Sequence, residues 1–167
     1  MLSFIKIQEK DIQKVQDLAH EIWFDHYPGI ISNEQIDYML KLMYSEEVIK
    51  KEIREGFSWD FILFDSVAIG FVACSFDENE ILKLNKLYIK VNYHGKRIGQ
   101  QTLAFVENKA HNLNAKKICL TVNKMNIKAI TAYKKYGFEI EKAVITKIGN
   151  GYVMDDYIMC LDLGTIK

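Results

Sequence analysis

The chain is short of proline, of net charge, of cysteine pairs and of long apolar runs, and each shortage narrows what it can be. Pro28 is the one proline in 167 residues, and no low-complexity segment, long linker or internal repeat stands out. That leaves one domain over residues 1–167, long enough to bury a real core. Lys+Arg and Asp+Glu are equal at 22 each, so the net charge is zero. A nucleic-acid partner usually shows as a basic excess, and none is expected here, although a small basic patch remains compatible with this balance. The three cysteines, Cys74, Cys119 and Cys160, form no CxxC pair. They read as free buried thiols in a reducing compartment. Four scattered histidines make no metal site, and no metal is expected. The most apolar stretch, Phe57 to Cys74, is broken by Asp60, Asp65 and Ser66, too interrupted for a membrane span. The N-terminal MLSFIKIQEKD lacks a basic stretch followed by a long apolar one, so no signal peptide is expected. The expected setting is the cytoplasm, with neither membrane nor nucleic acid as partner; a homodimer is open.

What is present is a run of helices followed by strands. Asp11 stands where it caps a helix with Ile12, Val15, Leu18, Ala19 and Ile22 on one face. Ser32 opens a second helix with Gln35 as capping-box partner and Ile31 and Ile36 as staple, and Ser45 a third. Phe57–Phe64 and Val67–Phe76 read as a hairpin turning at Asp65-Ser66. In the strand Glu80–Lys90, Leu82 and Leu84 hold one parity while Leu87 and Ile89 hold the other, which predicts a β-bulge near Asn85-Lys86. Gly95–Leu113 reads as helix, with Gly99, Leu103, Val106, Ala110 and Leu113 on the buried face. Ile118, Leu120 and Val122 alternate as a strand, Asn126 caps a helix ending at Gly137, and Gly149-Asn150-Gly151 joins two final strands.

The passage from strand to helix carries the chemistry. The first amides of a helix have no partners inside it and bear the positive end of its dipole, so they hold anions. Gly95 lets the turn tighten, Gly99 lets the helix lie close on the sheet, and Lys96 and Arg97 add charge. Without Ser or Thr after Gly-Lys this is no Walker loop, and its glycine spacing is not that of a dinucleotide fingerprint.

The segment His94-Gly95-Lys96-Arg97-Ile98-Gly99 resembles the acyl-CoA signature of the GNAT superfamily of N-acetyltransferases, Gln/Arg-x-x-Gly-x-Gly/Ala, with His94 and Arg97 as departures. Leu87-Tyr88-Ile89 resembles the strand that leads into it. Asn126-x-x-Ala129-x-x-x-Tyr133-x-x-x-Gly137-Phe138 is similar to the family's second signature. The resemblance implies an α/β (α+β) single-domain GNAT fold: a mixed, mostly antiparallel sheet of six to seven strands, splayed between the fourth and fifth, with helices on both faces. It implies acetyl-CoA as cosubstrate, held by Leu87, Tyr88, Ile89, His94, Gly95, Lys96, Arg97, Gly99, Gln100, Asn126, Ala129 and Tyr133. It also implies direct transfer of the acetyl group to a primary amine: a small amine, a polyamine or a peptide amine.

Such a transfer needs a neutral amine, a stabilised oxyanion and a proton for the leaving sulfur. A thiol has a pKa of about 8.5 and a phenol about 10, so Tyr133 suits the general acid. By resemblance a backbone N–H near Leu87 holds the oxyanion. An alkyl ammonium is neutral in only about one molecule in a few thousand at pH 7, a cost of roughly 4–5 kcal/mol, so a base is needed. Lys83 stands where the family often has glutamate, leaving Glu80, His94, Tyr88 or a water held by Asn85. The acceptor side is expected to draw on Trp23, Tyr27, Tyr38, Asp155 and Asp156, carboxylates beside aromatics that suit a cationic amine. These segments resemble a bacterial subgroup that includes polyamine acetyltransferases. The departures at Lys83 and Arg97 keep a second reading open, a GNAT-fold acyl-CoA sensor or interaction module without catalysis.

Overall fold

The computed structural model describes residues 1–164. In chain order they form β1 (Leu2–Lys6), α1 (Ile12–His26), α2 (Asn33–Tyr44), α3 (Glu46–Arg54), β2 (Ser58–Phe64), β3 (Val67–Phe76), β4 (Ile81–Ile89), α4 (Ile98–Asn112), β5 (Lys117–Asn123), α5 (Ile127–Tyr136), β6 (Glu139–Gly149) and β7 (Tyr152–Asp162). The strands pair in the order β1-β2-β3-β4-β5-β7-β6. The sheet is mixed and mostly antiparallel, the fold class that the sequence implied, with β4 and β5 parallel. The described residues cluster into two compact units, Met1–Ser75 with Lys86–Thr102, and Phe76–Asn85 with the described chain from Leu103 on.

In the first unit, α1 buries the expected face, with Trp23 added. Fully burying one large apolar side chain is worth about 1.5–3 kcal/mol, so this face holds the helix in place. The caps differ in detail. Ser32 and Ser45 accept from the backbone N–H of Gln35 and Val48 as expected. The Asp11 carboxylate accepts from the N–H of Gln8 and makes no side-chain cap bond to α1. Asp65 and Ser66 both take left-handed φ, 48° and 67°, the turn whose twist matches a tight hairpin. The sequence reading opened the chain with helices. In fact Leu2–Lys6 is a strand, antiparallel to β2. Five residues at a sheet edge carry too little alternation to announce themselves.

The alternation in β4 runs on differently from the sequence expectation. Leu82, Leu84 and Lys86 are all buried, so one parity continues as far as Lys86. The residue that broke the apolar pattern is a buried lysine. Lys86 Nζ lies 2.9 Å from each carboxylate oxygen of Glu52 and 4.7 Å above the Trp59 ring, while Trp59 Nε1 donates to Glu52 at 3.1 Å. Burial lowers the Lys86 pKa, and Glu52 opposes that. Removing one partner of such a pair strands the other charge. Glu52→Gln is therefore expected to cost about 3 kcal/mol in a urea melt, whereas replacing both by methionine should be close to neutral.

In the second unit, β4 pairs with β5 only from Ile81↔Lys117 to Lys83↔Cys119, although β5 continues to Asn123. Parallel pairing stops after three residues, where the sequence reading placed the parting of the sheet. Ile118, Leu120 and Val122 are buried as expected. One expectation fails outright. Cys119 and Cys160 are directly opposed on β5 and β7, with Cα atoms 4.2 Å apart, and are joined as a disulfide. Only Cys74 is a free buried thiol. Their separation of 41 residues concealed the pairing, because cross-strand register depends on the whole sheet.

Candidate active site

The turn after β4 shows how a backbone is shaped for an anion. Val91–Tyr93 make a single 3-10 turn, and Gly95 takes φ +79°. A Cβ there would meet no atom within 4 Å, so glycine serves the backbone and not the packing. Arg97 holds φ +60° at the position where the family signature has its middle glycine, so the turn keeps a glycine-like shape at a cost of about 1–2 kcal/mol. The helical ladder starts with Gln101 N–H bonding the Arg97 carbonyl at 3.1 Å. The amides of Ile98, Gly99 and Gln100 thus stand at the open N-terminal end of α4. Lys96 Nζ lies 5.0 Å over the Tyr93 ring.

Gly99 needs a correction. The buried face of α4 is Ile98, Thr102, Leu103, Val106 and Ala110, whereas Leu113 is 46% exposed. A Cβ on Gly99 would touch nothing within 4 Å, so this glycine is not what lets the helix lie on the sheet. The space beside it is open, which suits close approach of a ligand. The glycine that does govern packing is Gly70 on β3, whose added Cβ would lie 2.1 Å from the Tyr88 carbonyl oxygen. Gly70→Ala must push the Tyr88–Ile89 backbone aside. A loss of about 1–3 kcal/mol in stability is expected in a thermal melt.

Around Tyr88 the first unit gathers rings from α1, α2 and β3. Trp23 lies 4.6 Å from Tyr27, 5.8 Å from Tyr44 and 5.5 Å from Tyr88 between ring centroids, and Tyr88 lies 5.7 Å from Phe71. The Tyr27 and Tyr88 hydroxyls are 3.3 Å apart. Trp23 is only 1% exposed and belongs to the core. Its Nε1 and the Tyr44 hydroxyl are buried without a hydrogen bond of ordinary geometry. Burial pushes the Tyr44 phenol well up, and nearby Tyr27 adds to the rise. Tyr38 is half-buried on α2. Leu87 and Ile89 are half-buried on β4. His94, one of the candidate bases, has Nε2 2.8 Å from the Ile89 carbonyl oxygen, an anchor between turn and strand.

In the second unit, Asn126 Oδ1 accepts from the Ala129 N–H at 3.2 Å, the cap that the sequence suggested. Two helical turns on, Tyr133 is half-buried with its ring 5.7 Å from Phe138. The other tyrosine of α5, Tyr136, donates its hydroxyl to Glu107, and burial with that carboxylate raises its pKa. Glu80 sits in a turn with φ +61° and is ion-paired to Lys116. Lys83, standing where glutamate is common, pairs with Asp77 at 3.1 Å. Asp155 is exposed and pairs with Lys124, whereas Asp156 is 3% exposed. Sequence reasoning treated these two acids alike, and it missed Glu52 and Lys86 altogether; a lysine on an inward strand parity was the available signal. Among the described residues, Cys119, Glu141 and Cys160 form a donor cluster within 4.8 Å, but its sulfurs are bonded to each other and Glu141 pairs with Lys117.

The acetyltransferase (GNAT) family model matches residues 14–138. The chain belongs to the GNAT family. It is an acyl-CoA-dependent N-acetyltransferase. Among its relatives, the spermidine N(1)-acetyltransferase of Thermoplasma acidophilum is 31% identical over 141 residues, covering 81% of this chain and 87% of that one. Among solved structures, the PaiA N-acetyltransferase of Thermoplasma acidophilum in complex with coenzyme A superposes with a TM-score of 0.82 at 26% identity, covering 97% of this chain and 99% of that one. A GCN5-related N-acetyltransferase from Rhodopseudomonas palustris shares the fold with a TM-score of 0.80 at 16% identity, covering 96% of this chain and 95% of that one. This acetyltransferase's own residues fit the cosubstrate: amides open at the start of α4, free space at Gly95 and Gly99, and Lys96 and Arg97 beside them. Among the described residues no helix is long and apolar enough to cross a membrane.

Proposed function

We propose that this acetyltransferase moves the acetyl group of acetyl-CoA onto a primary amine, with a polyamine as the foremost acceptor, by direct transfer in a ternary complex. The observation that carries the reading is helix α5, capped by Asn126 and bearing Tyr133 two turns later, in the family's signature spacing. The acceptor class is supported by the relative named spermidine N(1)-acetyltransferase. In this reading the amides opening α4 hold the cosubstrate's phosphates, with Lys96 and Arg97 adding charge. The Leu87 N–H stabilises the oxyanion and Tyr133 protonates the departing sulfur. Acetyl-CoA supplies the activated acyl carbon. A cytoplasmic setting, where acetyl-CoA is made and used, fits this activity. The Cys119–Cys160 bridge pulls the other way, since disulfides are rare in most reducing compartments.

The test is an acceptor screen that follows thiol release from acetyl-CoA with spermidine, spermine, short diamines and peptide amines. Spermidine or spermine should give thiol release matched by acetylated amine. Tight acetyl-CoA binding with no turnover across the panel would favour the sensor reading instead.

A further inference from the structure

The reaction needs a base for the acceptor ammonium, and the sequence left four candidates. In the structure Glu80 is tied to Lys116 and His94 Nε2 to the Ile89 carbonyl. One carboxylate stands apart. Asp156 is 3% exposed, and among the described residues no hydrogen bond reaches its carboxylate and no ion pair closes on it. A largely desolvated carboxylate without a hydrogen bond is costly and is rarely kept for stability, and the Asp156 oxygens are not among the described side-chain atoms sealed from solvent without a partner, so an amine can reach them. It sits on β7 directly opposite Asn123, the last residue of β5, and opposite Val144 on β6. Asn123 lies three residues before Asn126, the cap of the helix that bears Tyr133, so Asp156 is on the strand neighbouring the entry to α5. The charges that act on it are Asp155 on its own strand and Lys124 just after β5. Burial, then Asp155, raise its proton affinity, and Lys124 opposes them. Asp155 cannot share the part, since it is exposed and paired with Lys124.

We propose that Asp156 is the general base of the transfer, taking the first proton from the acceptor's ammonium. This rests on the amine-acetylation reading above. The Asp156 carboxylate accepts a proton from R–NH₃⁺, and the freed nitrogen lone pair forms the C–N bond to the thioester carbonyl carbon. As the adduct collapses the C–S bond breaks, and its electron pair leaves on sulfur, which takes a proton from Tyr133. The nitrogen's second proton replaces the one Tyr133 gave, and the proton on Asp156 passes to solvent. The net release is one proton per acetyl group moved, as the charge balance from ammonium to amide requires.

The test compares Asp156→Asn with wild type, using spermidine or the best amine from the screen. At pH 7 the variant should lose about 10²-fold or more in kcat/KM for the amine, with KM for acetyl-CoA unchanged. The deficit should shrink as pH rises toward about 10, where the amine is neutral without help. Its melting temperature near pH 7 should equal or exceed that of wild type. A carboxyl group whose folded pKa is raised lends stability below the ordinary carboxylate range and loses it as pH rises through the raised value, a loss the amide does not suffer. Unchanged activity in Asp156→Asn, or a loss of the same size at every pH, would overturn the assignment. Failure of wild type to release thiol with any amine would instead sink the functional reading on which it rests.

Discussion

Tyr133→Phe is expected to lower kcat by about 10²-fold or more while leaving acetyl-CoA binding within a few-fold of wild type. Only the hydroxyl is removed, so the ring contact with Phe138 remains. The size follows from the chemistry. A thiolate leaving from a collapsing adduct needs a proton at the moment the C–S bond breaks, and a positioned acid supplies what bulk water supplies slowly. A tenfold effect is about 1.4 kcal/mol, so the expected loss is about 2.7 kcal/mol of transition-state stabilisation or more. Tyr136, three residues on along the same helix, is the internal control. Its hydroxyl is committed to Glu107, and its raised pKa marks a proton held tightly. Tyr136→Phe should therefore lower stability by about 1 kcal/mol without changing kcat. Steady-state kinetics of the two variants, with acetyl-CoA affinity measured separately by calorimetry, separate the roles. Normal turnover by Tyr133→Phe on the true acceptor would remove Tyr133 from the mechanism.

Breaking the Cys119–Cys160 bridge should be the largest stability effect of any single change in the second unit. Closing a loop of 41 residues removes unfolded-state entropy worth about 4 kcal/mol at 25 °C in the chain-entropy account. For a chain of this length that corresponds to a fall of roughly 8–16 °C in melting temperature. Cys160→Ser, or full reduction of wild type, should show it in a calorimetric scan. Thiol titration of unfolded, unreduced protein is the direct check, with one thiol expected from Cys74 and three after reduction. Three thiols before reduction would refute the bridge.

The sequence determined whatever depends on neighbours along the chain. The caps at Ser32, Ser45 and Asn126 were legible because a capping oxygen and the N–H it accepts lie three residues apart. The Asp65-Ser66 hairpin and the Ile118-Leu120-Val122 strand followed from turn chemistry and alternation. The glycine turn and the Asn126–Tyr133 spacing were enough to place the chain in its family. What the chain could not announce was which distant residues meet. Glu52 and Lys86 are 34 residues apart, and Cys119 and Cys160 are 41 apart. Asp155 and Asp156 look interchangeable in one dimension. In the sheet they point to opposite faces, so one finds Lys124 and the other is buried. Gly99 looked like a packing residue and proved to border open space, while Gly70, unremarked in the sequence, is pressed against the β4 backbone. Strand register decided each of these, and register is a property of the whole sheet, because a shift of a single residue would turn every side chain to the other face.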